Sequence, residues 1–266
     1  MRIVFSLVLL AQFLFAEAYY AKVEPYLTKK LTSNVTGEVK FVNENMLGKQ
    51  LSNNAFIIID ATIDKAELRD VEIKLKNSKK IVSLDEKVVA NLEAVLKKKE
   101  RNYKKTAALK IKSRLEKDKA FYDLVATQNS YNATLKELQN LKNSIADLQL
   151  RMTKLKKSIH DKSVKAQGYL LYSLAVKEGQ VVNPGTPLAE VADISKGVLT
   201  LFVDGKELAN IKDKTIYLDD KKTSYKVSRA LVIADSVNIS KYKVQIVIRA
   251  PKLFSKLVKV EFKDEK

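Results

Sequence analysis

The chain has 266 residues, 49 Lys and Arg against 31 Asp and Glu, and a formal net charge of +18. It has no cysteine, so disulfides and thiolate metal sites are excluded. Its single histidine, His160, lies inside a helical repeat, where it reads as a surface or seam residue. No Ser/His/Asp set or zinc motif is therefore assembled, and neither catalysis nor a cofactor is expected. The basic balance suits anionic lipid, nucleic acid or an acidic protein surface, but runs such as Lys97-Lys98-Lys99 lack the interleaved aromatic residues of a single-strand groove, so no nucleic-acid partner is expected.

Met1-Arg2, an apolar run from Ile3 to Phe15, and Ala16-Glu17-Ala18 have the form of a secretory signal peptide over residues 1–18. The run is about thirteen residues, short of the ~20 that a spanning helix needs. An uncleaved anchor is the competing reading. Without cysteine the N-terminus is not that of a lipoprotein. Residues 19–62 then read as short strands and turns, with Gly37 and Gly48 as punctuation. They have too few apolar side chains to make a core alone and need a partner from elsewhere in the chain.

From Lys49 to Gln167 there is neither glycine nor proline. Leu68, Leu75, Val82, Val89, Leu96 and Tyr103 recur every seven residues, as do Leu124, Tyr131, Leu138, Ile145, Met152 and Ile159. Such a repeat is the seam of a coiled coil. Asp64 with Glu67 has the form of a capping box and places a helix start near Asp64, running to about Lys110. Two apolar stripes on one chain bury each other only if the chain doubles back. Symmetry between Asp60 and Val164 puts the midpoint at residue 112, where the seven-residue count also loses phase. Residues 63–162 are therefore expected to be an α-hairpin with its tip at 109–115, Ser113 capping the returning helix with Glu116 three residues on. Residues 163–193 return to strands, with turn signals at Gly168, Gly179 and Gly185. Residues 194–266 carry five or six short strands at the spacing of a small barrel. The expected fold class is α+β.

Val176-Lys177-Glu178-Gly179-Gln180-Val181-Val182-Asn183-Pro184-Gly185-Thr186-Pro187-Leu188 closely resembles the second half of the lipoyl-like domain of periplasmic adaptor proteins, the membrane fusion proteins of the HlyD type. Val35-Thr36-Gly37-Glu38-Val39 through Gly48 to Asp60 resembles the first half, with Glu44-Asn45 in place of the usual Glu-Gly turn. Ser228-Arg229-Ala230, Val232 to Ser236, Tyr242 to Ile246 and Leu257 to Val260 look like the β-barrel of adaptors for resistance-nodulation-division pumps. The resemblance implies a split lipoyl-like domain with the hairpin inserted between its halves, and a periplasmic location at the inner membrane. It implies an inner-membrane transporter and a TolC-type outer-membrane channel as partners, with copies forming a ring, as a hexamer, and contact with the membrane surface. It also implies a channel-contacting tip, onto which Lys105, Leu109, Ser113 and Arg114 fall, with lysine where the family has arginine. The chain is short for such an adaptor, leaving little for a membrane-proximal domain. An ABC-type exporter or type I secretion system is the alternative engine. Asp64-Lys65-Ala66 mimics the turn of a lipoyl or biotin carrier, a reading from a different class. A free coiled-coil scaffold, dimerising through the rod, is a third.

Overall fold

The computed structural model describes residues 17–234, 238 and 240–264. The signal-peptide reading for residues 1–16, and Asp235-Ser236 of the barrel motif, lie outside them. The elements in order are β1 (Ala18–Thr32), β2 (Gly37–Val42), β3 (Ile57–Ile59), α1 (Thr62–Ala108), α2 (Arg114–Asp161), β4 (Ser163–Val164), β5 (Leu170–Leu174), β6 (Val181–Val182), β7 (Pro187–Asp204), α3 (Gly205–Asn210), β8 (Thr215–Leu218), β9 (Lys221–Lys222), β10 (Val227–Ala234), β11 (Lys241–Arg249) and β12 (Leu257–Lys263).

Two long helices dominate the chain. At 1.5 Å per residue each is ~70 Å long. They pack antiparallel along one seam, and Val71, Leu75, Leu138 and Leu155 are its buried residues. The ion pairs that cross the seam nest around one turn. Glu67 meets Arg151 at 2.6 Å, Glu86 meets Lys142 at 2.8 Å, and Lys99 meets Asp123 at 3.0 Å. These exposed pairs are worth ~0–1 kcal/mol each and set register more than stability. Val71 belongs to a second stripe on α1 that continues as Ser78, Asp85, Leu92 and Lys99. Its polar members hid it from a search for apolar heptads.

The helix start corrects the sequence expectation. α1 begins at Thr62, and Asp60 Oδ1 accepts from the Thr62 backbone N–H at 2.9 Å and from its hydroxyl at 2.7 Å. Asp64 is not a cap. It lies in the first turn and reaches across to α2, where Ser158 Oγ donates to Asp64 Oδ2 at 2.6 Å and Lys162 Nζ lies 3.1 Å away. A partner ninety-eight residues downstream outcompetes the local box. The same base is tied by the backbone, since Ile59 N–H donates to Lys162 O and Asp60 N–H to Glu38 O, both at 2.8 Å.

The strands form two β units. The smaller sheet runs β4-β3-β2-β6. Its core takes Val39, Leu51, Phe56, Ile57 and Ile59 from before the helices, and Leu171, Val176, Val182, Leu188 and Val191 from after them. Pairing also crosses the insertion, Ile57 with Val164 and Gly37 with Val182. Neither segment closes this core without the other, so the helices leave and re-enter one packed unit.

The larger sheet runs β10-β11-β7-β1-β12-β8-β9, with β5 also on β7. Four strands each send three residues, two apart, into its core. They are Tyr19, Ala21 and Val23, then Leu199, Leu201 and Val203, then Val244, Ile246 and Ile248, then Val258, Val260 and Phe262. That is the period of a half-buried strand. β1, grouped on sequence with residues 19–62, serves both units. It pairs with β12 from Ala18 to Lys22 and with β7 from Val23 to Thr32. β7 is likewise continuous across residue 193, and its pairing with β1 slips between Asp193 and Gly197, which marks the bend between the units. A Cβ on Gly197 would lie 2.9 Å from Val23 Cγ1 and 3.0 Å from Ile248 Cγ1. Gly197→Val is therefore expected to destabilise the protein, read as a lower urea midpoint.

Candidate functional site

The turn between α1 and α2 lies at the end of the hairpin opposite the base where it joins the smaller β unit. The Leu109 backbone N–H donates to Thr106 O as α1 ends. The return is built by Ser113. Its Oγ accepts from the Glu116 backbone N–H at 3.3 Å, and Glu116 Oε2 accepts from the Ser113 N–H and hydroxyl at 3.0 Å each. This capping box satisfies N–H groups that a helix start leaves open. Lys112 Nζ adds a third bond to Glu116, at 2.6 Å. The Lys112 ammonium, then the Ser113 N–H and hydroxyl, pull the Glu116 carboxyl down to about 2. The anion also suits the positive end of α2. Ser113→Ala is expected to speed amide exchange in the first turn of α2 and leave the β units unchanged.

What the turn presents is apolar and basic together. Ile111 is 88 % exposed and Leu115 79 % exposed, and Leu109 is exposed beside them. Between residues 97 and 119 stand eleven Lys or Arg and three carboxylates. Of the tip residues singled out on sequence, Lys105 is exposed on the last turn of α1, Leu109 ends that helix, Ser113 is the cap, and Arg114 stands almost fully in solvent, 3.9 Å from Asp118. Sequence reasoning missed Ile111 and Leu115. Their signal was available, as apolar residues off both seven-residue stripes. Just below the tip Tyr103 and Phe121 close the seam, ring centroids 5.7 Å apart.

The turn glycines fall into two groups. Gly48, Gly168, Gly179 and Gly185 have φ between +73° and +91°, where side chains are disfavoured. Gly37 is needed for space instead, since an added Cβ would lie 2.7 Å from Ile59 Cγ2. All five lie in or beside the smaller sheet. Lys65 sits exposed in the first turns of α1, and His160 is exposed near the end of α2. Among the described residues no His, Cys, Asp and Glu cluster offers a metal site.

At the opposite end of the helices the Asp60 carboxyl is held below its usual value by the Thr62 hydroxyl and N–H, and the Asp64 carboxyl is a second acid-sensitive group. Burial pushes it upward, but the donors Ser158 and Lys162 outweigh burial and hold it below its usual value. A folded value below the unfolded one means that the clamp's contribution is complete above the unfolded pKa. It is lost as pH falls through the folded value. Asp64→Asn is expected to flatten that acid-side fall, measured as urea midpoints across the acid range.

No family model and no curated protein matches the chain. Solved structures do. MacA from Actinobacillus actinomycetemcomitans superposes with a TM-score of 0.71 over 94 % of this chain and 79 % of that one, at 15 % identity. A chimeric MacA-MexA protein containing the Pseudomonas aeruginosa MexA α-hairpin domain gives 0.61 over 94 % and 82 %, at 14 % identity. The membrane fusion protein Spr0693 from Streptococcus pneumoniae R6 gives 0.59 over 94 % and 100 %, at 12 % identity. At these identities the likeness is one of fold. The chain has the membrane-fusion-protein fold, a mixed structure in which two long helices rise from β sheets. No helix among the described residues is long and apolar enough to cross a membrane.

Proposed function

We propose that the chain is a periplasmic adaptor of a tripartite efflux pump, linking an inner-membrane transporter of the resistance-nodulation-division type to a TolC-type outer-membrane channel. The observation that carries this reading is the position of the exposed tip. A stiff ~70 Å hairpin holds Leu109, Ile111 and Leu115 among lysines, far from the β units that would pack side by side in a ring. The smaller β unit is then the split lipoyl-like domain and the larger one the barrel. The fold likeness to a membrane fusion protein supports the assignment.

In this mechanism the protein does no chemistry. Hairpin length sets the gap that is bridged, and seam burial keeps the hairpin straight. Basic side chains at the tip steer toward carboxylates on the channel, each worth ~0–1 kcal/mol. Several copies acting together turn weak contacts into lasting ones. A lipoyl or biotin carrier needs its lysine on a tight turn, whereas Lys65 lies within α1. Affinity capture of the tagged chain from crosslinked cells tests the reading. The expected result is recovery of both a transporter and a channel, with only the channel lost when one heptad is deleted from each arm. Recovery of neither contradicts it.

A further inference from the structure

A cleft of about 1040 Å³ opens at the bend between the two β units. Its floor is apolar. Ala192 and Val198 on β7 are buried there, and Val247 on β11 and Leu170 on β5 are half-buried. Its walls are set by three irregularities of strand pairing. Tyr26 of β1 is skipped between the pairs Pro25–Gly197 and Leu27–Asp193. Tyr172 of β5 is skipped between Leu171–Val191 and Ser173–Glu190, and Ser228 of β10 between Val227–Ile246 and Arg229–Gln245. All three unpaired residues line the cleft. A bulge re-aims the side chain it frees and is common beside functional sites. Ser228 is used locally, its Oγ accepting from the Val247 N–H at 3.0 Å, which leaves the two tyrosines to face a ligand. The size, the apolar floor and the few polar groups around it are those of a small-molecule site at a junction between units.

What the walls offer is aromatic surface and negative charge. Tyr172 is 65 % exposed and Tyr26 49 % exposed. Glu190 stands beside Tyr172, opposite Ser173, and Glu24 lies two residues before Tyr26; both line the cleft. Among the described residues neither carboxylate has a hydrogen-bond or ion-pair partner. The face of a tyrosine ring attracts a cation, and a carboxylate beside it adds to the attraction. The chain itself shows this preference, since Lys196 Nζ, at the bend, lies 5.7 Å from the centre of the Tyr26 ring. Lys22 and Arg229 line the side of the cleft made by the larger unit. They orient a ligand with its positive group toward Tyr172 and Glu190.

We propose that this cleft binds an amphipathic organic cation, its apolar body on the floor and its positive group among Tyr26, Tyr172, Glu24 and Glu190. The site does not depend on the adaptor reading. Rhodamine 6G, a lipophilic cation, is the probe, and fluorescein, an anion of similar size, is its control. By fluorescence anisotropy with the purified full-length protein, rhodamine 6G is expected to bind and fluorescein to bind at least tenfold more weakly. Tyr172→Ala with Glu190→Gln is expected to weaken rhodamine 6G binding at least tenfold, and Tyr122→Ala, at an exposed tyrosine of the hairpin, to leave it unchanged. Lys196→Ala removes the cation already seated on Tyr26 and is expected to tighten binding at least threefold. The proposal is overturned if rhodamine 6G does not bind, if both dyes bind equally, or if binding survives the double substitution. Weaker binding by the Lys196→Ala protein overturns it as well. Capture of the channel through the tip is read separately and tests the adaptor reading alone.

Discussion

Ile57→Ala is expected to destabilise the protein by about 2–5 kcal/mol, the range for truncating a buried isoleucine. Ile57 is fully buried in the core of the smaller β unit. It pairs with Val42 on β2 and with Val164 on β4, so it touches chain from both sides of the helices. Removing its side chain leaves a cavity at the point where the hairpin is rooted. The expected signature is a lower urea midpoint with an unchanged slope. Ile63→Ala, at an exposed position of the same hairpin base, is the control and is expected to change stability by less than about 0.5 kcal/mol. Equal effects from both would contradict a shared core.

On the adaptor role proposed above, the double substitution Leu109→Asp with Ile111→Asp is expected to abolish export while leaving the fold intact. Both side chains are exposed at the turn, so each change costs stability within about 0.5 kcal/mol. Two added carboxylates bury badly against another protein and also neutralise part of the basic tip. Cells carrying the variant are expected to be as sensitive to toxic compounds as cells lacking the chain. Wild-type resistance with the doubly substituted tip would remove the tip from the mechanism.

Some features were readable because they are local and periodic. Leu138 lies in the seam that its seven-residue spacing marks, and Ser113 with Glu116 makes the box that its pattern suggests. Others depend on residues far away in the chain. Asp64 and Glu67 fit a capping pattern, yet Lys162 and Ser158 recruit Asp64, the N-cap position falls on Ala61, and the Thr62 N–H is met by Asp60 instead. Val71 was hidden by the polar residues that share its stripe. The role of β1 in the larger core rests on Tyr19, Ala21 and Val23, an alternation too short to indicate which unit it joins. The bulges at Tyr26, Tyr172 and Ser228 are slips of register between two strands, and register is fixed by pairing, which no single strand displays.

Site-specific crosslinking in cells tests the central claim most directly. Because the chain has no cysteine, a single thiol at Leu109 or at Ser113 is unique, and a thiol-reactive crosslinker reports only what the tip touches. The account predicts a covalent product with an outer-membrane channel from Leu109→Cys and Ser113→Cys, and none from Val88→Cys halfway along α1. If the tip positions never trap a channel while the protein remains folded and exported, the tip does not dock there.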